Sequence, residues 1–335
     1  MRLLVTLPLL LATTAFALNA QDVHVRVDPH GPGSVNSTTD YTTIQQALDH
    51  APDTANGRVI ISIVPGVYHE RVVVTRNRPH VTLLGLGKDP SEVVITASQN
   101  HDSAGGTFNS ATVEVDGDEF EADNVTFENA AGNTGQAVAI AVRSDRAVFK
   151  HCRFLADQDT LFADFGRQYY VDSYIRGGVD FIFGNATAVF DHDTIEEIRL
   201  GYLTAQSRTS PVQTTGYVIT NSRVISSIDP STKTPQRSGF FLGRPWRLYS
   251  RVIFMNTELP ADLDPAGWSV WNKSDAYPPQ AFYAEFHNTG PGADTSHRAP
   301  WSHQLTAAEA KTYEPANFLR GTDHWNTLAA AAKLP

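Results

Sequence analysis

A short β-prone run that ends in a polar residue, with an apolar residue three places later, recurs along the middle of this chain. It appears at Asn124/Phe127, His151/Phe154, Asp172/Ile175, His192/Ile195 and Asn221/Val224, at intervals of 27, 21, 20 and 29 residues. Similar units at a variable period of about 20 to 30 residues are the mark of a solenoid, in which unequal loops leave a regular stack. The surrounding pattern agrees. Short β-prone runs at 59–64, 71–74, 81–84, 93–96, 111–115, 137–142, 147–149, 188–190, 217–220 and 251–255 are separated by Gly, Asn and Asp turn residues. Helical patterns are few: 41–48 with Thr caps, 305–313 with Thr306 and Glu309 at capping-box spacing, and the Ala-rich 327–333. A sandwich or barrel suits the strand spacing too, but the repeat favours an all-β parallel β-helix with short N- and C-terminal helices.

A solenoid places residues one repeat apart on neighbouring strands, about 4.8 Å from each other. Gln136, Gln158 and Asp180 are spaced by 22 and 22 residues, and Asp159 lies 21 before Asp180. Coils of this length bring two amides and two carboxylates to one face. Adjacent carboxylates do not both ionise cheaply, so one keeps its proton and the other is left as a nucleophile. Neutral glutamines add N–H donors for a developing oxyanion without quenching that nucleophile.

The motifs around these positions resemble the pectin methylesterase (pectinesterase) family. Gly66-Val67-Tyr68-His69-Glu70 is similar to its GxYxE, and Gly135 to Ala139 reads GQAVA. Gln158 to Leu161 reads QDTL, Asp180 to Gly184 reads DFIFG, and Leu242 to Trp246 reads LGRPW. The five occur in family order over some 180 residues, with weaker likenesses in TTIQQAL after residue 41, GGTFNSATV at 105–113 and LTAAEA at 305–310. Ile140 replaces the last residue of QAVAL, a change of packing only.

The resemblance implies a right-handed parallel β-helix that removes methyl esters from homogalacturonan (pectin), releasing methanol and leaving pectate. It implies Asp180 as nucleophile, Asp159 as general acid and then base, and Gln136 and Gln158 as oxyanion donors. Arg244 holds Asp180 or meets a substrate carboxylate, Trp246 offers a face to a sugar, Thr107 bonds the saccharide, and Phe162 and Phe183 are aromatic walls. No metal and no cofactor is implied, and the chain is expected to act as a monomer. Singly, these residues have ordinary readings: an Asp that caps a turn, a Gln in a ladder, an Arg in a surface ion pair. Glu70 is read as structural, satisfying backbone or Arg partners.

Other chemistries lack their motifs. No GxSxG elbow is present, His69-Glu70 has no second His for a zinc site, and Gly85-Leu86-Gly87 opens no dinucleotide fingerprint. The remaining competitors are a polygalacturonase or lyase on the same scaffold and a pectin-binding protein without catalysis. The net charge of −10 excludes nucleic acid as a natural partner. It also favours neutral, methylated polymer over the de-esterified polyanion.

The first 20 residues have the layout of a secretory signal: one Arg, an apolar run from Leu3 to Leu11, then small residues at Ala15, Ala17 and Ala20. The expected organisation is a signal peptide at 1–20 and one β-helix domain at 21–335. The product is secreted, or periplasmic in a bacterium, and free of the membrane once cleaved. Cys152 is the only cysteine, so no intrachain disulfide forms and packing alone carries stability. Sequons stand at Asn36, Asn124, Asn185 and Asn272.

Overall fold

The computed structural model describes residues 22–31, 40–52, 54, 57–234, 239–272 and 279–334. The signal segment and the Asn36 sequon lie outside the described residues. The rest winds as a right-handed parallel β-helix. A long sheet has twelve strands among the described residues, and two further sheets have seven each; every strand pairing is parallel. One coil runs from the long sheet to the second and third sheets and back, as in Ala147–Lys150, Arg153–Leu155 and Leu161–Phe165. Among the described residues no helix is long and apolar enough to cross a membrane.

The corner from the long sheet to the second explains the sequence repeat. Asn124, His151, Asp172, His192 and Asn221 all have φ between 49° and 60°. Asn and Asp enter this left-handed region more readily than other non-glycine residues, because their short polar side chains bond locally. Asn256 and His287 make the same corner in the last coils. Three residues on, Phe127, Phe154, Ile175, Ile195 and Val224 stack in register, fully buried or nearly so. In the long sheet the rings of Phe149, Tyr170 and Phe190 stack inward with centroids 4.8 and 4.7 Å apart, the spacing of the strands themselves.

From Cys152 onward the first residue after the corner turns inward and forms a polar ladder. Cys152 N–H donates to Ser173 Oγ (3.0 Å), Ser173 N–H to Asp193 Oδ1 (2.7 Å) and Asp193 N–H to Ser222 Oγ (3.0 Å). These bonds satisfy buried N–H groups that the tight corner leaves without a strand partner. The Asp193 carboxyl is buried so completely that its pKa rises well above the usual carboxylate range. Burial likewise pushes up the Cys152 thiol, which is 1% exposed.

At the N-terminal end, the helix Ile44–His50 lies over the open core and buries Ile44, Ala47 and Leu48. Thr43 caps it. Glu70 accepts the N–H groups of Ile44 (2.9 Å) and Gln45 (3.0 Å), the structural role expected of that carboxylate. Gln45 Oε1 in turn accepts the N–H of Val73 (2.7 Å), on the first strand of the third sheet. At the other end the capping box at Thr306 and Glu309 forms, but its helix stops at Ala310 and continues as a 3-10 turn to Tyr313. The Ala-rich segment is helical over Thr327–Ala331, and the tail packs back along the long sheet through the Arg167–Asp323 ion pair. Two short helices, His101–Ala104 and Pro315–Phe318, had no sequence signal strong enough to mark them.

Candidate active site

The outer face of the third sheet carries a row in strand register: Ala141, Phe162, Phe183 and Ala205. Just before this row, at the corner entered from the second sheet, Gln136 pairs with Gln158 and Gln158 with Val179. The 22-residue step therefore aligns the two glutamines. Asp180 is aligned by the 21-residue step, next to Asp159 rather than Gln158, with Asp159 N–H donating to Val179 O at 3.1 Å. Both aspartates occupy the left-handed region, at φ 66° and 50°. The turn that tolerates Asp is what aims the two carboxyls outward side by side.

They open into a cleft of about 270 Å³ lined by Thr107, Gln136, Gln158, Asp159, Asp180, Phe183, Arg244 and Trp246, eight of the nine residues singled out from the sequence. Phe162 lies alongside, 5% exposed, stacked between Phe108 and Phe183 at centroid distances of 4.8 and 4.6 Å. Both glutamines line the cleft, and no side-chain hydrogen bond engages either amide among the described residues.

Arg244 distinguishes the two acids. Its Nε donates to Asp180 Oδ1 at 2.9 Å and its Nη2 to Oδ2 at 2.5 Å, a bidentate fork on Asp180 alone. The guanidinium lies between the rings of Tyr202 (3.9 Å) and Trp271 (4.2 Å), and Nη1 donates to Trp271 O. Asp159 is held well above the usual carboxylate pKa, first by burial and then by the Asp180 charge. Burial raises Asp180 too, but the Arg244 hydrogen bonds and charge pull it back. These directions favour Asp159 over Asp180 as the holder of a shared proton.

Phe108, Tyr202 and Trp271 belong to the site and were not singled out from the sequence. Phe108 adjoins Thr107 in the GGTFNS segment, a signal that was available. Tyr202 and Trp271 act through Arg244, and nothing in their local sequence announces that.

The pectinesterase family model matches residues 34–322. The chain belongs to the pectinesterase family. Pectinesterases are carboxylic ester hydrolases. Among curated relatives, the carrot (Daucus carota) pectinesterase is 39% identical over 306 residues, spanning 88% of this chain and 94% of that protein. The tomato (Solanum lycopersicum) pectinesterase/pectinesterase inhibitor U1 is also 39% identical over 306 residues, but this chain spans only 52% of it. For such longer relatives the chain covers about half their length. Among solved structures, the carrot pectin methylesterase superposes with a TM-score of 0.80 at 36% identity, covering 92% of this chain and 95% of that one.

Proposed function

We propose that this pectinesterase-family chain hydrolyses methyl esters of homogalacturonan, with Asp180 as nucleophile and Asp159 as acid and base. The observation that carries the reading is the asymmetric pair: two neighbouring acids in one cleft, of which only Asp180 is forked by Arg244. Asp180 attacks the ester carbonyl, and the negative charge that develops on its oxygen meets the amide donors of Gln136 and Gln158. Asp159 gives its proton to the departing methoxy oxygen, so methanol leaves and an acyl–Asp180 anhydride remains. The Asp159 carboxylate then takes a proton from water, and the hydroxide attacks the anhydride. Collapse of this second intermediate restores the Asp180 carboxylate, the Asp159 proton and a free galacturonate.

Arg244 fixes the attacking oxygens and does not touch Asp159. Its own position is fixed by the Tyr202 and Trp271 rings. Thr107, Trp246, Phe183 and Phe162 shape the cleft for a saccharide. Residues 1–20 fit export to the polymer's location outside the cell, and nothing in the mechanism calls for a metal, a cofactor or a second subunit.

The test is methanol release from methylated homogalacturonan, without chain scission or ultraviolet-absorbing unsaturated products. Asp180→Asn keeps the shape of the side chain and is expected to lower the rate by more than about 10³-fold. Full activity in that variant removes Asp180 from its role; viscosity collapse without methanol assigns the cleft to glycosidic cleavage instead.

A further inference from the structure

The cleft continues past the paired acids. Beyond Phe108 and Trp246, which wall both parts, lies a second section of about 410 Å³. Two residues further along each strand from Ala141, Phe162, Phe183 and Ala205 come Arg143, Asp164, Asn185 and Ser207, which line it. A polymer seated across the aromatic row would reach this section with the unit next to the reacting one.

Three charged residues line it, and they differ in freedom. Arg143 is engaged, with Nε on Asp116 Oδ1 at 2.7 Å and Nη2 on Glu114 Oε2 at 2.9 Å. Arg247 is exposed at the rim, its guanidinium 4.7 Å from the centre of the Trp246 ring, with no ion pair among the described residues. Asp164 is half-buried. Its carboxyl meets the Asn185 backbone N–H and forms no salt bridge among the described residues, and the Arg143 that faces it is already shared by two other acids. A charge on a partly desolvated floor acts more strongly on a neighbour than a solvated charge on the rim, where water and salt screen it.

We infer that this section is a subsite for the galacturonate adjoining the reacting unit and that Asp164 sorts its C6 group, admitting a methyl ester and repelling a free carboxylate. The inference rests on the esterase reading above and adds a residue that sets which stretches of polymer are attacked. It gives the preference for methylated substrate, expected from the overall charge of −10, a local cause. Burial raises the Asp164 pKa, against Arg143 and the Asn185 N–H, so the preference is strongest where the carboxyl is fully ionised.

The experiment measures kcat/KM per ester at about pH 8, above the ordinary carboxylate range. It uses the full chain on two substrates: nearly fully methylated homogalacturonan and the same polymer saponified at random to low ester content. Asp164→Asn and Asp164→Ser are expected to raise the low-ester to high-ester ratio about 3- to 10-fold. Arg247→Gln is expected to lower it by less than about 2-fold. The ratio is internal to each variant, so a reduced folded fraction cancels. A wild-type ratio in both Asp164 variants overturns the inference, as does a larger effect from Arg247→Gln. Absence of methanol from wild type on both polymers overturns the esterase reading itself; methanol with an unmoved ratio overturns only the role of Asp164.

Discussion

Two corners of the same solenoid use the same backbone trick for opposite ends. At the corner from the long to the second sheet, His151, Asp172 and His192 turn left-handed with side chains 48%, 51% and 59% exposed. At the corner from the second to the third sheet, Asp159 and Asp180 turn left-handed at 8% and 6% exposure, behind walls of Phe108, Phe183, Trp246 and Trp271. The first corner closes coils; the second gathers reactive groups. The difference is not in the turn. It lies in what stands over it: in the mechanism proposed here, desolvation and a single bidentate partner are what give two like carboxylates different tasks.

The sharpest way to break this comparison is to make the same substitution at both corners. Asp159→Asn keeps a residue that accepts the left-handed turn but cannot exchange the proton, and its rate should fall about 10²- to 10⁴-fold. Its melting temperature should hold or rise, since a buried acid has gone. Asp172→Asn should leave methanol release intact and stability within about 0.5 kcal/mol. Comparable activity losses at the two sites would erase the distinction.

A smaller effect is expected in the pH profile. In the proposed mechanism activity needs Asp180 ionised and Asp159 protonated, so it should rise with pH as Asp180 loses its proton and fall as Asp159 loses its own. Burial raises both carboxyls from their ordinary value, Asp159 well above it. Arg244 is the group that pulls Asp180 down. Arg244→Gln should therefore move the acid limb upward by about 1 to 2 pH units, read from rate against pH. An unmoved limb would separate Asp180 from that ionisation.

The smallest effect concerns the corner without chemistry. Asp193 sits in the ladder between Ser173 and Ser222, buried and with a raised pKa. A carboxyl whose folded pKa exceeds its unfolded value holds its proton better in the folded state. Stability is then lost as pH rises from the unfolded value toward the folded one. Asp193→Ser, matching its ladder neighbours, should stabilise by about 1 kcal/mol more at pH 8 than at pH 5, seen in denaturant melts. An equal or reversed difference would mean the ladder tolerates the charge.

The corner residues were legible because the backbone restricts them. Asn, Asp and His before an inward apolar residue mark each coil from Asn124 to Asn221, and the 21- and 22-residue steps carry the acids and amides into line. Asn256 and His287 escaped because the coils there lengthen and the interval drifts. Tyr202 and Trp271 escaped for a different reason: their contact is with the Arg244 guanidinium, across the stack, and no spacing in the chain encodes it. Local turn chemistry is written in short motifs. The partners of a buried cation are chosen by the fold.

The helix over the first coil has a consequence beyond packing. A stacked-coil protein ends in strands whose free N–H and C=O groups invite another copy to add on, and continued addition makes a fibre. Gln45 occupies the Val73 donor, and Ile44, Ala47 and Leu48 plug the apolar bore. Glu70, anchored in the first coil, holds the plug by its leading turn. A single carboxylate thus helps keep the molecule finite, and its loss would be felt as self-association before it was felt as lost activity.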